Sequence, residues 1–100
     1  MSDYYVLDKD HKPIRATLDE WSKFTEPHCT SRVARDENDE ILVSTVFLGL
    51  DHNWGEGPPI LFETMIFGGE HDEDQWRYET WDEAIAGHKI ACSIAGVDTK

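Results

Sequence analysis

The sequence predicts an α+β fold: a single two-layer domain, residues 1–100, with an antiparallel sheet of four or five strands, a C-terminal helix and a short N-terminal helix. Three observations carry that prediction. Two apolar runs, residues 41–50 and 60–67, have strand length and are rich in β-branched and aromatic side chains. Two Thr-x-x-Glu signals, at Thr17 and Thr80, each precede a segment with helical spacing of apolar residues. At 100 residues and 11.5 kDa, the chain has material for one core.

The elements follow in order. Tyr4, Tyr5, Val6 and Leu7 form a first strand, at an edge or end of the sheet, stopped by the polar turn 8–13. Thr17 caps a helix that shows Leu18, Trp21 and Phe24 on one face and ends at Pro27. Residues 30–35 make a strand with Val33 inward, and the acidic run 36–40 is a solvated hairpin tip. In residues 41–50, Ile41, Val43, Thr45 and Phe47 alternate with Leu42, Ser44, Val46 and Leu48. Both sets are apolar enough to predict a central strand covered on both faces. Residues 60–67 pair with it antiparallel, and Glu63 is the exception, because a carboxylate in an apolar strand needs solvent or a partner.

Gly68-Gly69 ends that strand, and 70–74 is a second acidic turn. Residues 75–79 alternate Trp76 and Tyr78 with polar residues, as a last strand exposed on one face does. The helix from Trp81 to about Ala95 turns Trp81, Ala84, Ile85, His88, Ala91, Cys92 and Ala95 inward. Gly87 costs that helix roughly 1 kcal/mol relative to Ala unless it permits close packing on the sheet. Gly96 is the stop signal.

Charge and cysteine usage restrict function. With 21 acidic and 9 basic side chains, the net charge is -12, which disfavours direct binding to nucleic acid or anionic membrane. The acidic turns around Asp36 and Asp72 instead allow a nucleic-acid mimic that presents carboxylates where a partner expects phosphates. Cys29 and Cys92 have no metal or disulfide spacing, and no signal peptide or membrane-length apolar run is evident. A reduced, cytoplasmic protein is expected.

The loop 50–59 is where binding chemistry concentrates. Asp51 and His52 offer hydrogen bonds, Trp54 a stacking face, Gly55 and Gly57 close backbone approach, and Pro58-Pro59 a stiff return path. The alternative is a structural loop whose Trp54 closes one end of the core. With Glu63 and Arg77, these residues are the candidate ligand site: Asp51, His52, Trp54, Gly55, Gly57, Glu63 and Arg77. Trp76, Arg77 and Tyr78 could stack a base and pair a phosphate, or serve as cross-strand packing.

A metal set can be drawn from Asp51, His52, Glu63, His71 and His88, but no HxH, HExxH or CxxC spacing supports it, and His88 reads as a core histidine. No metal, cofactor or catalytic residue is therefore assigned. A small hydrolase using His52 or a metal ranks below a non-catalytic binder, since no nucleophile motif accompanies it.

On Ser44-Thr45-Val46-Phe47-Leu48-Gly49-Leu50-Asp51-His52, on residues 57–69 (GPPILFETMIFGG), on Arg77-Tyr78-Glu79-Thr80-Trp81-Asp82-Glu83-Ala84 and on Gly87-His88, the chain resembles a group of small bacteriophage and prophage proteins. The resemblance implies an early-expressed or accessory product acting in the bacterial host cytoplasm, where it would inhibit a host enzyme or counter a host defence. Its partner would be a host protein or a small nucleotide-like signal. The resemblance brings no catalytic residues. A homo-oligomeric accessory protein is a further reading, because a small two-layer domain often buries an open sheet face or edge in a dimer.

Overall fold

The computed structural model describes residues 4–26, 31–50 and 57–99. Four strands form the main antiparallel sheet in sequence order: β3 (Arg32–Glu37), β4 (Leu42–Phe47), β5 (Phe62–Phe67) and β6 (Gln75–Tyr78). A second, two-stranded sheet pairs β1 (Tyr4–Leu7) with β2 (Pro13–Ala16), and α1 (Leu18–Thr25) follows it. The chain ends in α2 (Trp81–Ala95). The architecture is α+β as predicted. No helix among the described residues is long and apolar enough to cross a membrane.

Both helices begin where the Thr-x-x-Glu signals lie. At α1 the Thr17 side chain accepts from the Glu20 amide at 3.2 Å and the Glu20 carboxylate accepts from the Thr17 amide at 2.9 Å, a reciprocal capping box. That contact with the Thr17 amide and hydroxyl holds the Glu20 carboxyl below its ordinary range. At α2, Thr80 accepts from the Glu83 amide at 3.1 Å, and Gly96 closes the helix in the left-handed region, at a φ of 78°.

The expectation that β4 is covered on both faces is corrected. Burial alternates strictly: Val43, Thr45 and Phe47 are buried, whereas Leu42, Ser44 and Val46 are half-buried. In β5, Phe62, Thr64 and Ile66 are buried, whereas Glu63 and Met65 are half-buried and Phe67 is exposed. The second apolar face of the sheet thus has no layer over it among the described residues.

On the covered face, α2 lays Ala84, His88, Ala91 and Cys92 against the sheet. The apolar core forms two clusters, one around Val43, Ile66, Ala91, Cys92 and Val97 and one around Phe47, Leu61, Phe62 and Ala84. α1 joins the second cluster through Phe24, whose ring meets Phe47 edge-on at 5.9 Å, and so lies on the same sheet face as α2. Trp21 ties α1 to the exit of β4 by donating from Nε1 to the Leu48 carbonyl at 3.1 Å.

Several local expectations shift. The turn after β1 ends before Pro13 rather than at it, and Pro13–Ala16, to which the sequence assigns no element beyond that turn, is a strand in full register with β1, from Tyr4 opposite Ala16 to Leu7 opposite Pro13. Leu18, expected inward, is 57% exposed, since the face of α1 that reaches the core starts at Trp21. Pro27 lies outside the described residues; the last helical residue is Thr25, with Glu26 as C-cap. Asp36 belongs to β3 and is buried, so the acidic tip is shorter than residues 36–40 and turns at Asn38, whose side chain accepts from the Glu40 and Ile41 amides.

Candidate functional site

Pairing across the four strands arranges the open face into rows. Glu37, Leu42 and Phe67 form one row; Arg35, Ser44, Met65 and Gln75 form the next; Arg32, Val46, Glu63 and Arg77 form the third. The centre is apolar, from Leu42, Val46, Met65 and Phe67. Its rim carries three of the four arginines in the chain, with Glu37 and Glu63 as the only carboxylates in those rows.

Of the predicted ligand residues, Glu63 and Arg77 come together here. They face each other across β5 and β6, and the Arg77 Nε donates to the Glu63 carboxylate at 3.1 Å. This pairing is the account of the charge that the apolar strand left unexplained: the Glu63 side chain is only 15% exposed, and the guanidinium offsets its desolvation. Gly57 is exposed, with a φ of 119° that side-chain-bearing residues rarely adopt. Asp51, His52, Trp54 and Gly55 lie outside the described residues. The described chain leaves β4 at Phe47 and re-enters at Phe62, at the end of the sheet that holds Val46, Glu63 and Arg77.

Trp76, Arg77 and Tyr78 of β6 do not share one surface. Trp76 and Tyr78 pack with the core clusters beneath α2, while Arg77 points to the open face. Residues suggested for a metal are also dispersed: Glu63 is on the open face, His88 is on the opposite, helix-covered face, and His71 pairs with Asp74 in the second acidic turn.

Under α2 lies a polar layer that the sequence did not reveal as a unit. His88 Nε2 and the Asp36 carboxylate are 2.8 Å apart, and His88 Nδ1 and Thr45 Oγ1 are 2.7 Å apart. Thr45 Oγ1 meets Thr64 Oγ1 at 2.5 Å, and Thr64 engages the Tyr78 hydroxyl. With the imidazole neutral, one proton arrangement satisfies every member: Tyr78 donates to Thr64, Thr64 to Thr45, Thr45 to Nδ1, and Nε2–H to Asp36. Burial raises the pKa of Tyr78.

The order carboxylate, imidazole, hydroxyl is the order of a hydrolase triad. Its position argues otherwise: Thr45 and Thr64 have no exposed surface and His88 is 3% exposed, so a substrate could reach Thr45 only by separating helix from sheet. Cys92 Sγ lies 3.5 Å from His88 Nε2, and burial, reinforced by Asp36, pushes its thiol up to about 11. Asp36, His88 and Cys92 could close on a divalent ion by surrendering the His88–Asp36 hydrogen bond. Among the described residues every fully buried side-chain nitrogen and oxygen already has a partner, so the layer is complete as a structural device.

The two acidic turns, separated by some thirty residues in sequence, are neighbours in space. Glu40, Ile41, Gly68, Gly69, Glu70 and His71 line one shallow hollow between them. Asp72 caps the Gly68 amide at 2.6 Å, which shapes the second turn. Comparison with protein-family models, curated proteins and solved structures gives no match.

Proposed function

We propose that the protein is a non-catalytic binding protein whose recognition surface is the open face of the four-stranded sheet, and that it serves a phage by countering a host defence. The observation that carries the binding role is the apolar centre, half-buried Leu42, Val46 and Met65 with exposed Phe67, over which no described element packs, beside Arg32, Arg35 and Arg77. From strand spacing and rise, the whole face, polar rim included, measures roughly 15–20 Å each way. Arginine, methionine and phenylalanine are side chains enriched in interface centres. The phage role rests on the sequence resemblance.

The test is binding with the full chain. Met65→Glu places a charge at the centre of the face while its backbone pairing stays intact. It should abolish capture of the host partner or ligand and leave the thermal unfolding midpoint unchanged. If Met65→Glu binds normally while His52→Ala or Trp54→Ala does not, the surface assignment is wrong and the loop is the site. No retained host protein and no nucleotide-like ligand would sink the binder reading itself.

A second reading, the nucleic-acid mimic, is favoured by the adjacency of the two turns, which gathers Asp39, Glu40, Glu70, Asp72, Glu73 and Asp74 at one end of the sheet. It requires binding that weakens steeply with salt and disappears when those carboxylates become amides. Asp36, included in that reading from sequence, does not contribute, because it is buried against His88.

A further inference from the structure

Along a regular strand, side chains three residues apart point to opposite faces, so Arg32 and Arg35 should be separated by the sheet. A bulge cancels that separation. The register passes from Arg32 opposite Val46 to Ala34 opposite Thr45 and Arg35 opposite Ser44, which makes Val33 the extra residue. Both arginines therefore join Val46 and Ser44 on the open face. With Ser31 they line a hollow of ≈ 360 Å³, near the lower bound of about 300 Å³ for small-molecule pockets.

Among the described residues no carboxylate lines this hollow, in a chain with 21 acidic and 9 basic side chains. Among the described residues Arg32 has no ion-pair partner, and that of Arg35 is Glu37 at 3.7 Å, with both side chains about half exposed. Glu63, the carboxylate beside Val46, is held away on its other side by Arg77 at 3.1 Å. The acidic turns lie at the far end of the strands, roughly 13 Å or more along β4. That exceeds the Debye length of about 8 Å at physiological salt, so the acidic turns are largely screened from the hollow, and the carboxylates on the same face, Glu37 and Glu63, are each paired with an arginine.

We propose that the hollow binds the phosphoryl group of a small nucleotide-like ligand. This rests on the open face being the recognition surface and names the ligand chemistry it takes. Guanidinium forks suit planar, bidentate recognition of phosphate oxygens, and two of them side by side offer donors to a tetrahedral group with several acceptor oxygens; the Ser44 hydroxyl adds a further donor. Val46, with Met65 diagonal to it on β5, supplies the apolar floor for the rest of the ligand.

The experiment is titration of the full chain, followed by amide NMR, with AMP, inorganic phosphate and adenosine. AMP should bind saturably and shift the amides of Arg32, Arg35, Ser44 and Val46; inorganic phosphate should compete; adenosine should give no shift. Arg32→Gln and Arg35→Gln, both at exposed positions, should each weaken AMP by at least about tenfold, the loss expected for one charge-assisted hydrogen bond. Lys89→Gln, at an exposed position of α2 on the covered side of the sheet, should leave AMP affinity unchanged. The proposal is overturned if AMP causes no shifts at millimolar concentration, if adenosine binds as well as AMP, or if the two arginine variants bind AMP normally. Host-partner binding that is lost in Met65→Glu, with no response to AMP or phosphate, would remove the phosphoryl site and leave the open-face reading standing.

Discussion

Thr45→Val tests whether the polar layer anchors the helix to the sheet. The change is nearly isosteric, so packing is kept and the hydroxyl alone is lost. That hydroxyl has two partners, Thr64 Oγ1 at 2.5 Å and His88 Nδ1 at 2.7 Å, and no exposed surface. Losing it leaves Nδ1 without a partner in a site that is 3% exposed, which costs about 1–3 kcal/mol, and loses about 1 kcal/mol of net hydrogen bonding to Thr64. The sum, about 2–4 kcal/mol, is a large share of the 5–15 kcal/mol typical of a small domain and should lower Tm by about 10 °C or more. Urea unfolding followed by the fluorescence of the four tryptophans measures it, with an unchanged slope as the sign that the folded state is preserved. Thr64→Val is the control: it leaves the Thr45–His88 contact intact and orphans no fully buried group, so it should cost about 1 kcal/mol. Equal losses in the two variants, or a loss below about 0.5 kcal/mol for Thr45→Val, would refute the anchoring argument.

Three further outcomes follow from the same geometry. Gly87→Ala should destabilise the protein despite a gain of about 1 kcal/mol in helix propensity, because the added Cβ would collide with the Tyr78 ring and hydroxyl; a stabilised variant in thermal melts would contradict this. Arg77→Ala should cost about 1–3 kcal/mol, since it leaves the Glu63 carboxylate, whose side chain is 15% exposed, without its partner, so a cost below about 0.5 kcal/mol in urea unfolding would mean that Glu63 is accommodated without Arg77. Cys92 keeps its proton in the folded protein to about 11, against an ordinary 9.0, so stability should be fully present below pH 9 and fall as pH rises towards 11. In a Cys29→Ser background its thiol should resist disulfide reagents at pH 8 until the protein unfolds, and rapid native labelling would overturn the assignment.

The helix boundaries, the antiparallel β4–β5 pairing and the inward face of α2 were legible because each rests on local chemistry: a Thr-x-x-Glu cap, a period of two, a period of 3.6. Gly87 was legible as an anomaly, and Tyr78 supplies its reason. What was not legible depends on tertiary register. Apolar residues on both faces of β4 imply two covering layers, yet among the described residues only the Val43, Thr45 and Phe47 face has one. The bulge at Val33 leaves no mark in the sequence, and without it Arg32 and Arg35 cannot be placed together. Asp36 reads as part of an acidic tip because its partner, His88, is 52 residues away.

The polar layer also answers a question that hydrophobicity leaves open. In β4 one face offers Val43, Thr45 and Phe47 and the other Leu42, Ser44 and Val46; either could meet a helix if burial alone decided. A slip of one residue would exchange those faces, and the apolar cost of the exchange is modest. The hydrogen-bonding cost is not. Only the observed register sets Thr45 opposite Thr64, Asp36 opposite Val43, and all of them beneath His88, so that each buried polar atom is paired. A slipped sheet could still set the Ser44 hydroxyl under His88 Nδ1, but with Asp36 turned to the open side it would leave Nε2 without its carboxylate, at a cost of about 1–3 kcal/mol. Such a layer adds little net stability over an apolar core of the same volume, but it assigns the faces. That assignment is what leaves Leu42, Val46, Met65, Phe67 and the arginine pair pointing outward, so the buried histidine fixes which side of the sheet is free to bind.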